Sequence, residues 1–151
     1  MRSFYVSLCI FLIMICFLYF WTFSLDDYHI KYYDEVSRQI IRHAIRVHGS
    51  FTASGMPWIT VYSVRATNTY TRLSDKKNIY LVIQRPDGSF YDSHTIIKTL
   101  VHELAHLYHD GKEHNDSFKM IEQQLLQSSK ELGYYDPQKE IDRTYPCKNC
   151  T

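Results

Sequence analysis

The chain has 151 residues, 45% of them hydrophobic, with 17 Lys and Arg against 16 Asp and Glu. That length suits one domain with one core and leaves no room for a second catalytic module. A formal net charge of +1 excludes a strongly basic protein that coats nucleic acid by charge alone.

These averages conceal two regions. Residues 4–23 form an almost unbroken apolar run, and the only charged side chain before residue 26 is Arg2. Twenty helical residues span roughly 30 Å, the thickness of a bilayer's hydrocarbon core. Tyr5, Tyr19 and Trp21 lie near the ends of the run, where amphipathic rings favour the headgroup region. The expectation is a single-pass transmembrane anchor over residues 1–25, with the lipid bilayer as a partner. A cleaved signal peptide is the competing reading. Against it, the run exceeds the usual roughly 7–15 apolar residues, and bulky Trp21 and Phe23 stand where small residues would mark cleavage. Arg2 on one flank and Lys31, Arg38 and Arg42 on the other do not set an orientation.

A short polar linker, residues 24–28, leads into a helical pattern over 30–48. There Ile30, Tyr33, Val36 or Ser37, Ile40, Ile41, Ala44 and Val47 recur near helical spacing, and Gly49 stands where a C-terminal cap belongs. Arg38, Arg42 and Arg46 stripe another face, either as a solvated surface or as a site for phosphate or headgroups. Residues 50–57 read as a turn. Residues 58–64 read as a strand, 67–73 as a weaker one and 79–84 as the most apolar, ending at the turn Pro86-Asp87-Gly88. Phe90 and Tyr91 suggest a short fourth strand. Asp92 or Ser93 is placed to cap a helix over 94–109, and Asn115 or Asp116 to cap another. The latter carries Phe118, Ile121, Leu125 and Leu132 on one stripe and ends at Gly133. The order helix, three or four strands, helix, helix indicates an α+β domain with a segregated sheet, over residues 26–133, followed by a tail over 134–151.

The chemistry concentrates in His102-Glu103-Leu104-Ala105-His106. Four-residue spacing sets both imidazoles on one helix face, where they can hold one Zn²⁺, and Glu103 beside them suits a general base. From this chain's own His and Glu content an accidental HExxH is expected only about 0.02 times. A catalytic zinc site ordinarily takes three protein ligands. His114 is the first candidate for the third, because Gly111 lets the chain turn back toward the metal. His109, rotated by about 300° from His106 along the same helix, and Glu122 on the next helix are its rivals.

HELAH, a glycine-containing break and then His114-Asn115-Asp116-Ser117-Phe118 resemble the SprT-like and WLM metalloproteases. Residues 79–106 are also similar to small anchored proteins of large DNA viruses. The resemblance implies a minimal zincin-like fold and a zinc-dependent endopeptidase with one Zn²⁺ per chain. It implies His102, His106 and His114 as ligands and Glu103 as the general base. It further implies a polypeptide substrate, and nucleic acid as a partner, which the balanced charge does not support. The seven-residue gap between His106 and His114 is longer than in the compact WLM pattern, and SprT-like members accommodate it.

In zincin-type sheets an exposed edge strand can pair with an extended substrate. Ile79, Tyr80, Leu81, Val82, Ile83 and Gln84 are the candidates, and a plain central strand is the equal alternative for so apolar a segment. Tyr108, Tyr134 and Tyr135 are candidate donors to a tetrahedral oxyanion. Cys9 and Cys16 read as small hydrophobes. Cys147 and Cys150 form a lone C-x-x-C, suited to a disulfide or to nothing, since a zinc ribbon needs two such pairs. The competing function is a zinc-binding, non-hydrolytic interaction or virion protein tethered to a membrane.

Overall fold

The computed structural model describes residues 2–49, 60–63, 70–71, 78–109 and 113–147. Helix α1 (Arg2–His48) is followed by strands β1 (Thr60–Ser63), β2 (Tyr70–Thr71) and β3 (Asn78–Leu81), then by helices α2 (Ser93–Tyr108) and α3 (Asp116–Glu131). The α+β order read from the sequence is therefore present, with a smaller sheet than expected.

Helix α1 runs through the expected linker at residues 24–28, which contains neither Pro nor Gly to break it. Its second half is amphipathic: Tyr33, Val36, Ser37, Ile40, Ile41 and Ala44 are buried. Val47, expected on the same stripe, is exposed. It lies in the last turn, next to Gly49, whose φ of 64° and N–H to the Ile45 carbonyl (3.1 Å) close the helix. Arg38 pairs with Asp34 and Glu35, while Arg42 and Arg46 are exposed. The basic stripe is a solvated face.

The transmembrane expectation is corrected. Among the described residues no helix is long and apolar enough to cross a membrane.

In the sheet, β3 is central, with the order β1-β3-β2. β1 runs parallel to it (Thr60↔Asn78 to Ser63↔Leu81) and β2 antiparallel (Tyr70↔Tyr80, Thr71↔Ile79). The sequence placed longer strands at 58–64 and 67–73; their remaining residues lie outside the described ones, as does the turn at 50–57. Ile79 and Leu81 are fully buried and alternate with half-buried Tyr80, which stacks on Tyr62 at 5.2 Å. The expected fourth strand contracts to one bridge, Gln84↔Phe90. It closes the Pro86-Asp87-Gly88 turn, where Gly88 adopts φ 86° and Asp87 Oδ1 accepts from the Ser89 N–H at 2.9 Å.

Helix α2 is the most enclosed element, with twelve of its sixteen residues buried. Asp92 caps it: Oδ1 accepts from the Thr95 N–H at 2.9 Å and Oδ2 from the Thr95 hydroxyl at 2.6 Å. One side of α2 packs on β3, and α3 lies along another. Asn115 caps α3 by accepting from the Phe118 N–H at 3.0 Å. Phe118 and Leu125 are buried beneath that helix, and Gly133 ends it at φ 78°.

Candidate metal centre

Two helices each contribute a stripe at four-residue spacing. On α2 the stripe is Lys98, His102 and His106. Along α3 and its leading edge it is His114, Phe118 and Glu122. Residues four apart lie on one helix face, so the two helices set three imidazoles against one another. The Nε2 atoms of His102 and His114 are 3.2 Å apart. One ligand atom from each of His102, His106 and His114 lies within 4.8 Å of the others. The three ring centroids are 4.9 to 5.0 Å apart.

These residues fit a zinc ion. Zinc–nitrogen bonds of about 2.0–2.1 Å in a tetrahedron separate two ligand nitrogens by about 3.3 Å, close to the spacing between His102 and His114. Three nitrogen donors make up three of the four positions of such a tetrahedron.

Behind the triad, Glu122 Oε1 lies 2.8 Å from His102 Nδ1. Glu122 therefore lies at the back of the ring and outside the cluster of three histidine nitrogens. A carboxylate there makes Nδ1 the protonated nitrogen and turns the Nε2 lone pair toward the other two histidines. Burial raises the Glu122 carboxyl, but the His102 hydrogen bond and the charges of His102, Lys98 and His114 outweigh it, and its pKa is lowered.

Burial, followed by the neighbouring imidazoles, pushes His106 down to about 4. The same causes lower His114. Both rings are therefore neutral near pH 7, the form that donates a lone pair to a metal. Among the described residues His106 Nδ1 is buried without a hydrogen-bond partner.

Phe118 forms the floor of the site. Its ring lies 4.5 Å from His114, 4.6 Å from His106 and 5.2 Å from His102, centroid to centroid, and it is 1% exposed. His109 meets the same ring edge-on at 5.7 Å, centroid to centroid, and is outside the triad. Glu103 is buried on α2 next to His102.

Tyr134 turns its hydroxyl to Gln39 Oε1 at 2.6 Å, toward α1. Tyr135 stacks on His94 at 4.7 Å. Tyr108 is half-buried, and its hydroxyl pKa is raised by burial. Cys147 is disulfide-bonded, whereas Cys9 and Cys16 are free thiols.

The sheet corrects one expectation. The residues proposed to receive substrate, Ile79, Tyr80, Leu81, Val82, Ile83 and Gln84, do not form an edge. Ile79 and Tyr80 are paired on both sides, Leu81 is paired with Ser63 of β1, Val82 and Ile83 are buried beyond the strand, and Gln84 bridges to Phe90. β3 is thus the central strand, which is the alternative the apolarity allowed. Glu122's role was missed for a different reason. Its signal, the 114-118-122 spacing, becomes readable only once α3 is set against α2.

No solved structure matches this chain. Two curated proteins are similar over part of their length. "Uncharacterized protein 042R" of Invertebrate iridescent virus 3 is 39% identical over 56 residues, 37% of this chain and 35% of that protein. "Uncharacterized protein 136R" of Invertebrate iridescent virus 6 is 34% identical over 74 residues, 47% of this chain and 42% of that protein. The chain thus spans less than half the length of these relatives. The segment that carries the histidine triad, residues 72–144, is matched as a WLM domain.

Proposed function

We propose that this chain is a zinc-dependent metallopeptidase that hydrolyses polypeptide, with His102, His106 and His114 holding the ion and Glu103 acting as general base. The observation that carries the reading is the three-imidazole cluster with a carboxylate behind His102. When bound, zinc supplies Lewis acidity, bringing the pKa of water to about 7 and polarising a carbonyl.

The chain's own residues do the rest. His102 and His106 present nitrogens from adjacent turns of a buried helix, so their spacing does not drift. His114 closes the set from the start of α3, where the Asn115 cap fixes the backbone. Glu122 holds the His102 tautomer and strengthens its donor nitrogen. Phe118 keeps water from the underside of the rings. Glu103 takes the proton of the attacking water and passes it to the leaving amine, the task of a general base that then serves as general acid. Among the described residues β2 has no partner on its outer side, and an extended polypeptide could add there by strand pairing.

The test uses the full chain. Zinc content is measured per chain, and cleavage of unfolded proteins is compared between the wild type and Glu103→Gln. Zinc near one per chain with cleavage that disappears in Glu103→Gln is expected. Zinc binding without Glu103-dependent cleavage on a broad panel refutes the peptidase and leaves a binding module. A protein that takes up no zinc refutes the site.

A further inference from the structure

The α2 face that bears His102 and Glu103 continues one turn toward the N-terminus with Lys98 and Thr99, each four residues earlier. These two residues form one wall of a cavity of about 450 Å³. Ile141, Arg143 and Tyr145 of the C-terminal tail form much of the other. One helical turn is about 5.4 Å, so the cavity adjoins the metal centre along α2.

The tail wall is held in place. The Asp142 N–H donates to Thr95 Oγ1 at 2.9 Å, and Arg85 Nη2 donates to Asp142 Oδ2 at 2.5 Å. Tyr145 meets Tyr91 edge-on at 4.8 Å, and Cys147 is disulfide-bonded. A preformed cavity spares a ligand the cost of ordering it, and its volume falls in the range of about 300–1,000 Å³ typical of ligand sites. That is roomy for one side chain, so size discriminates little and charge decides. Asp142 is neutralised by Arg85. Among the described residues Lys98 and Arg143 form no ion pair, and the carboxylates at the cavity wall are Glu140 and the Arg85-paired Asp142.

We propose that this cavity receives an acidic side chain of the polypeptide substrate close to the scissile bond, with Lys98 and Arg143 as its counter-charges. The proposal rests on the peptidase reading and adds a substrate class to it.

The experiment uses the zinc-loaded full chain and a mixture of unfolded peptides, with cut sites mapped by mass spectrometry. Acidic residues are expected to be enriched on one side of the cut. In Lys98→Glu and in Arg143→Glu, the ratio of kcat/KM for a matched acidic and basic peptide pair is expected to fall about five- to tenfold, mainly through KM. Lys98→Arg is expected to keep the preference. Arg143 is exposed, so its variant tests the idea even if a Lys98 variant fails to fold, and zinc content near one per chain certifies each protein. A ratio unchanged by either charge reversal overturns the proposal while leaving the peptidase standing. If the wild type binds zinc but cuts nothing, the peptidase fails and the proposal is overturned with it.

Discussion

Removing the carboxylate behind His102 tests whether the site is built for metal or merely contains histidines. In Glu122→Ala, His102 loses the partner 2.8 Å from Nδ1. Its side chain is 4% exposed, so water cannot readily replace the lost acceptor. The ring is then free to exchange tautomers and to rotate, and its Nε2 becomes less basic. Loss of such an outer partner typically weakens metal binding about 10- to 100-fold, or roughly 1.4–2.7 kcal/mol. Glu122→Gln keeps an acceptor without the charge and is expected near the lower end of that range. Zinc affinity is read by competition with a chromophoric chelator, which does not depend on turnover. An unchanged Kd in Glu122→Ala refutes the orienting role. A loss of all measurable binding, equal to that of His102→Ala, would instead show Glu122 to be a ligand.

The histidine pKa shifts predict how the metal-free protein responds to acid. A histidine with a depressed pKa binds its proton more readily unfolded than folded, so stability rises with pH between the two values. For His106, at about 4 when folded against about 6.5 unfolded, stability is expected to fall as pH drops from about 6.5 through about 4. The loss is about 1–2 kcal/mol after allowance for solvent screening; a chemical-denaturation series without zinc that is flat over this window contradicts the assignment. Phe118→Ala empties the floor of the site and removes a fully buried ring, at a cost of about 3–5 kcal/mol by urea denaturation; a loss below about 1 kcal/mol would show that the ring is not core. The Asp142 carboxyl is held at about 2 by the Thr144 hydroxyl and N–H and by Arg85. The tail's attachment should thus be complete above about pH 4 and weaken as pH falls toward 2. Asp142→Asn should speed proteolysis within residues 134–147 at neutral pH, and equal cleavage rates would refute the tether.

The site was more legible than its surroundings. Helix periodicity and caps located α2 and α3 to within a residue or two, because Asp92 and Asn115 satisfy local backbone groups whatever the rest of the chain does. The histidine spacing fixed a shared face for the same local reason. What the sequence could not convey was which side of a ring a neighbour occupies. Glu122 was visible as a carboxylate one helix away, but its place at Nδ1 depends on how α3 lies across α2. Strand positions failed similarly: residues 79–84 are apolar whether a strand is central or at an edge, and only the pairing with both β1 and β2 decides it. The apolar run of α1 suggested a boundary at residues 24–28, yet nothing there interrupts helical hydrogen bonding, and α1 continues into the core.

His114 stands apart from its two partners on the chain, so the triad exists only while α3 is docked on α2. A ligand that binds the assembled cluster and not the open chain acts as a clasp between the helices, adding about 2.7 kcal/mol at a free concentration 100-fold above its Kd. The supply of metal would then govern more than turnover. In a metal-poor compartment the same chain would hold its helices less firmly and open more often to proteolysis, so its abundance as well as its activity would follow the zinc around it.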